Sequence, residues 1–132
     1  LTLIAISCNK GTMDTPLPVP EPTPPGTVEQ PINSGTLMNG PYGTVSGSIN
    51  LYERSGSYVL GLKNFSTSAG PDLHVYVSKE MIPVNFIDLG KLKQNTGDQF
   101  YAIPGNPDFR AYRFALIHCQ QYNHLFGYTE LK

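Results

Sequence analysis

The two cysteines and three histidines of this sequence are the residues best suited to redox and soft-ligand chemistry: Cys8, Cys119, His74, His118 and His124. Three of them fall within one largely apolar stretch, FALIHCQQYNHLFGYTEL (114–131). A cysteine thiolate can be oxidised to a sulfenate and restored by another thiol, or can enter a mixed disulfide. Such chemistry needs exposure and a lowered pKa, usually supplied by nearby positive charge, and Arg113 and His124 are the candidate sources for Cys119. Shut inside a core, the same residue is a small hydrophobe.

Cys119 and the histidines also have the ligand types of a copper or zinc site. Adjacent strand residues point to opposite faces, so His118 and Cys119 cannot share an ion unless the strand has ended or bulged there. The spacing from His118 to His124 matches no recognised ligand pattern. No metal and no cofactor is therefore expected, and His74, His118 and His124 stand as candidate ligand-binding residues. Asp72 reads first as a turn residue bonding its own backbone, and second as a partner for His74 two positions on. Asp88, Asp98 and Asp108 each lie beside turns. No Ser-His-Asp order, glycine-rich phosphate loop or pair of carboxylates in an apolar frame is present, so a stand-alone enzyme is not expected. The formal net charge of −1 argues against a nucleic-acid surface.

The elements that must hold these residues are strands. At 132 residues there is room for one domain. Short alternating runs separated by turn residues fill the chain from about Thr36, which is the pattern of a sandwich or barrel. Residues 43–53 place Val45, Ile49 and Leu51 on one face at period two. Ser55-Gly56 turns the chain into 57–65, where Tyr58, Leu60 and Leu62 share a face. In 73–78, Leu73, Val75 and Val77 point one way while His74 and Tyr76 point the other. Further strands are expected at 86–93, 99–104, 111–119 and 125–131. The run 111–119 is apolar on both faces and so reads as a central strand, with 125–131 closing the sheet. The expectation is an all-β, antiparallel domain of about seven or eight short strands and no long helix over residues 36–132.

The N-terminus reads as an address. Residues 1–7, LTLIAIS, look like the tail of an apolar signal core, and the small Ser7 before Cys8 fits a bacterial lipoprotein signal in which the cysteine takes the lipid. No run reaches the roughly 18 apolar residues of a membrane span, so membrane attachment would rest on acyl chains alone. Residues 9–35 hold seven prolines between Pro16 and Pro31. They are expected to form a disordered, extended tether, because proline fixes φ and removes a donor. Cys8 is then claimed by lipid, leaving Cys119 without a partner in a compartment where thiols usually pair.

The ordered pieces GTVSGSINLYE, LGLKNF, GPDLHVYVS, FIDLGKLKQNTGDQFYAIP and FALIHCQQYNHLFGYTEL resemble the DM-thirteen, or electron-transfer DM, domain. The resemblance covers about residues 36–132. Its most specific parts are Gly70-Pro71-Asp72, Leu89-Gly90-Lys91-Leu92, Tyr101-Ala102-Ile103-Pro104 and Cys119 followed by Phe126-Gly127. It departs from the family pattern at His118, where an aromatic residue is expected before the cysteine. The resemblance implies a redox-active cysteine at Cys119 and an electron-transfer role. The resulting expectation is a lipid-anchored bacterial envelope protein, on the outer membrane, facing periplasm or surface, with membrane lipid and an unidentified redox protein as partners. A second expectation is a non-catalytic adhesion or matrix-binding module on a stalk, carried by Tyr42, Tyr122 and Tyr128.

Overall fold

The computed structural model describes residues 29–132. The expected signal remnant, Cys8, and the tether as far as Val28 lie outside the described residues. Nine strands form two antiparallel sheets, and no helix occurs among the described residues. The four-stranded sheet has the order β1 (Asn33–Thr36), β3 (Val45–Arg54), β4 (Ser57–Thr67), β7 (Gln99–Ile103). The five-stranded sheet has the order β2 (Met38–Asn39), β9 (His124–Glu130), β8 (Phe114–Cys119), β5 (Leu73–Ser78), β6 (Phe86–Lys91). The sandwich expected from the sequence is present, with Val45, Ile49, Leu51, Leu60 and Leu62 buried against Leu73, Val75, Val77, Ala115 and Ile117.

Nine strands stand against the seven or eight expected, and two of them lie outside the runs named from the sequence. β1 and β2, four and two residues long, carry no alternating apolar run. They are held by their partners instead, β1 on β3 and β2 on β9. β1 thus draws Asn33, Ser34 and Gly35, placed in the tether by sequence, into the first sheet. Likewise β9 does not end its sheet, because β2 pairs outside it. β8 is central, as its doubly apolar pattern indicated, flanked by β5 and β9.

Gly127 shows why one motif glycine is needed. A Cβ there would stand 2.5 Å from a Val45 methyl carbon across the core. Valine is branched at Cβ and has little freedom to swing away. Gly127→Ala is expected to destabilise the domain by about 1–3 kcal/mol through overpacking, measured by denaturant unfolding. A cost under about 0.5 kcal/mol would show that the two sheets move apart easily.

Candidate functional site

β5 and β8 pair in register, with His74 opposite His118, Tyr76 opposite Leu116 and Leu73 opposite Cys119. Period-two alternation then divides the chemistry between the two faces of one sheet. Leu73, Val75, Val77, Ala115, Ile117 and Cys119 face the sandwich core. His74, Tyr76, Leu116 and His118 point the other way, where Tyr76, Leu116 and Leu125 make a second apolar cluster flanked by Phe114 and Tyr128. Tyr128, expected at the surface, is therefore half-buried.

His74 is buried with a carboxylate on each ring nitrogen. Nδ1 lies 3.0 Å from Asp88 Oδ1, and Nε2 lies 3.1 Å from Asp72 Oδ1. Ionised carboxylates only accept, so each contact is a hydrogen bond when the ring nitrogen facing it carries the proton. Asp72 comes from the turn before β5, and the second reading of its role is the one realised, with Lys91 Nζ a further 3.5 Å away. Asp88 comes from β6 and is more than a turn residue. The register of β5 against β6 shifts between His74 and Tyr76, and Gly90 on the bulged side has φ +114°. That bulge lets the Gly90 amide donate to Asp88 Oδ1 at 2.8 Å while the carboxylate faces His74. Burial pushes the Asp88 carboxyl up, but the His74 contact, the Gly90 amide and Gln120 outweigh it and hold it below the ordinary carboxylate value.

Gln120 ties the network to the turn that follows β8. Its Nε2 donates to the Tyr76 hydroxyl at 3.0 Å and to Asp88 Oδ2 at 3.2 Å, and its backbone amide donates to the Asp72 carbonyl at 2.9 Å. Burial and the charges of Asp88 and Asp72 push the Tyr76 hydroxyl up, against the pull of the Gln120 contact. At the far side of that turn, His118 Nε2 donates to Asn123 Oδ1 at 2.9 Å. Asn123 holds a left-handed φ of 56°, a conformation asparagine tolerates better than most residues. The short turn Gln120–Asn123 is thus held by side chains on both flanks.

His118 Nδ1 is buried with no hydrogen-bond partner. A second proton would have to sit on that nitrogen. Burial therefore lowers the His118 pKa from its ordinary 6.5, and the nearby His124 and His74 rings add to the lowering against the Asn123 contact. The unfolded chain then binds more protons than the folded one as pH falls below about 6.5, so His118 subtracts stability in acid. His118→Phe is expected to remove that part of the acid loss between pH 7 and 5, leaving a flatter stability profile by denaturant titration. An unchanged profile would show that the ring takes its second proton without cost.

Cys119 is 1% exposed. The proposed sources of a field at its sulfur do not meet it. Arg113 precedes the opposite end of β8 and pairs with Glu130 at 3.4 Å. His124 is the register partner of Cys119, yet its ring lies flat on Tyr42, centroids 3.7 Å apart and 3° from parallel. Of the three candidate histidines, His74 and His118 are register partners across β5 and β8, while His124 lies near His118 with its ring stacked on Tyr42. Among the described residues no cluster of three or more His, Cys, Asp or Glu side chains is placed to hold a metal ion. Gln120, Asn123 and Tyr76 were missed by sequence reasoning. The one available signal was Asp88 two residues before a glycine, a spacing that suits an Asp side chain capping its own bulge.

Residues 37–131 match the family model described as Electron transfer DM13. No curated protein and no solved structure matches the chain.

Proposed function

Since the chain belongs to the electron transfer DM13 family, we propose that it is an accessory redox domain of the bacterial cell envelope that exchanges electrons through Cys119 and is held to a membrane, the outer membrane, by lipid on Cys8. The observation carrying this reading is the position of Cys119. It is the only cysteine among the described residues, the last residue of β8, and it directly precedes a turn latched by Gln120 and Asn123. A sulfur buried to this degree cannot meet a second thiol in the closed fold, because exchange requires contact between the sulfurs. Release of the Gln120–Asn123 turn is the shortest route to exposure. The network of Asp72, His74, Asp88, Tyr76 and His118 then serves as the clasp that sets how often the thiol is shown.

The experiment is mixed-disulfide formation. The native chain, incubated with oxidised glutathione, should acquire one glutathione on the Cys119 peptide, and Cys119→Ala should acquire none there. Alanine is the better control, since a serine hydroxyl would be buried without a partner. The same spectra report acyl chains on Cys8 in protein isolated from cells. A second reading is favoured by the buried sulfur together with an exposed aromatic group at that end, where Tyr42 and Tyr122 flank His124. On that reading the domain is an adhesion or matrix-binding module. A chain that never accepts glutathione at Cys119 while folded would transfer the proposal to it.

A further inference from the structure

The loop between β5 and β6 carries three exposed aliphatic side chains in four positions: Met81 at 46%, Ile82 at 56% and Val84 at 62% exposure. Small domains usually hide such side chains, and here the loop is built to present them. The Ser78 hydroxyl is in hydrogen-bond contact with the Ile82 and Asn85 carbonyls at 3.3 and 3.2 Å. Glu80 takes both the backbone amide and the side-chain amide of Asn85 at 3.1 and 2.9 Å. The Lys79 amide donates to the Asn85 carbonyl at 2.9 Å, closing the base. Pro83 sits at the tip, where the Val84 amide reaches back to the Ile82 carbonyl at 2.9 Å. A loop fixed at its base, with its apolar side chains left outside, is shaped for an apolar partner.

The position of the loop in the fold identifies that partner. Ser78 pairs with Phe114, and Phe114 with Glu130, so the loop lies at the end of the sandwich where β9 finishes. Lys132 and Ser34 exchange backbone hydrogen bonds of 2.9 and 3.1 Å at that same end. The chain therefore enters the domain there, through Ile32, which is itself 49% exposed. Cys119 and the Gln120–Asn123 turn occupy the opposite end of β8. Residues 1–28 therefore join the domain at the end that carries Met81, Ile82 and Val84.

We infer that this loop rests in the interfacial region of a lipid bilayer, with the Cys119 end turned away from it. The inference rests on the lipid anchor proposed above, which raises the effective concentration of the loop at the bilayer. Three aliphatic side chains are too few for firm attachment alone and sufficient to orient a domain already tethered. An outward Cys119 end would face soluble redox partners.

The test places a reporter in the loop. The sequence has no tryptophan, so Val84→Trp in the full chain introduces one fluorophore. The chain is coupled through Cys8 to a maleimide-bearing lipid in vesicles of phosphatidylethanolamine and phosphatidylglycerol, which fixes the anchor point whatever its state in cells. Emission should shift to the blue on coupling, and brominated acyl chains should quench it at least about twofold. Tyr122→Trp, at the far end, should show neither change. Adding Met81→Asp and Ile82→Asp to the Val84→Trp chain should abolish the shift, and circular dichroism of that chain confirms that the domain still folds. An unshifted signal from the loop, or an equal shift at both ends, overturns the inference. Acyl chains missing from Cys8 in cell-derived protein would instead remove the anchor while leaving the coupled result standing.

Discussion

His74→Leu is expected to lower the unfolding free energy by about 3 kcal/mol near neutral pH, the scale of losing hydrogen bonds to buried carboxylates. Leucine fills a similar volume, so little of the loss comes from packing. What remains is a pair of carboxylates that have lost the ring between them. Asp72 is mostly buried at 18% side-chain exposure, whereas Asp88 at 35% can recover some water, which sets the figure toward the low end. The penalty should shrink in acid. Asp88 is held below its ordinary value of 3.8 in the folded domain, so its contribution is present above that range and disappears as pH falls through the lowered folded value. Adding Asp88→Asn to the leucine variant should cost much less than the same change in the parent, because the two side chains belong to one contact. Urea titrations of the four chains provide the cycle. A single-variant loss below about 1 kcal/mol would show that both carboxylates already reach solvent.

The second large effect is kinetic. Iodoacetamide should label Cys119 in the folded chain at least about a thousandfold more slowly than in denaturant. The sulfur is 1% exposed in the main core, among apolar neighbours on both sheets. A reagent reaches it only during an opening, and the rate falls with the population of the open form. The readout must follow the Cys119 peptide by mass, because Cys8 is a separate thiol or a lipid carrier. Labelling within tenfold of the denatured rate would mean that the end of β8 is open much of the time, and the network described above would then be no clasp.

The fold was legible because its strands alternate. Leu73, Val75 and Val77 against His74 and Tyr76 gave both faces of β5, and the doubly apolar run Ala115–Ile117 gave β8 its central place. β1 and β2 were hidden because pairing partners, not side-chain pattern, make them strands. The site was legible only in part. Alternation correctly separated His118 from Cys119, but the sequence could not say that Cys119 took the core side. Asp88 looked like a turn residue because its reach to His74 depends on a bulge at Gly90 and a register shift between β5 and β6. Gln120 and Asn123 were unremarkable loop residues until the β8–β9 turn brought one to Tyr76 and the other to His118. Arg113 was a neighbour of the cysteine in sequence and lies beyond the other end of its strand, since six extended residues span about 20 Å.

The most direct measurement follows native labelling of Cys119 in the parent chain and in Gln120→Ala across low urea concentrations, beside urea titrations of global stability. Gln120 makes two side-chain contacts, to Tyr76 and Asp88. Losing them should speed labelling about five- to tenfold, the value of one or two net hydrogen bonds, and lower the unfolding free energy by a similar amount, while the labelling rate in both chains stays nearly flat in low urea, where global unfolding rises steeply. That result would show a local opening at the end of β8 and a thiol displayed under control. If labelling in both chains instead tracks global unfolding alone, Cys119 is a core residue with no redox exposure, and electron exchange through its sulfur is contradicted.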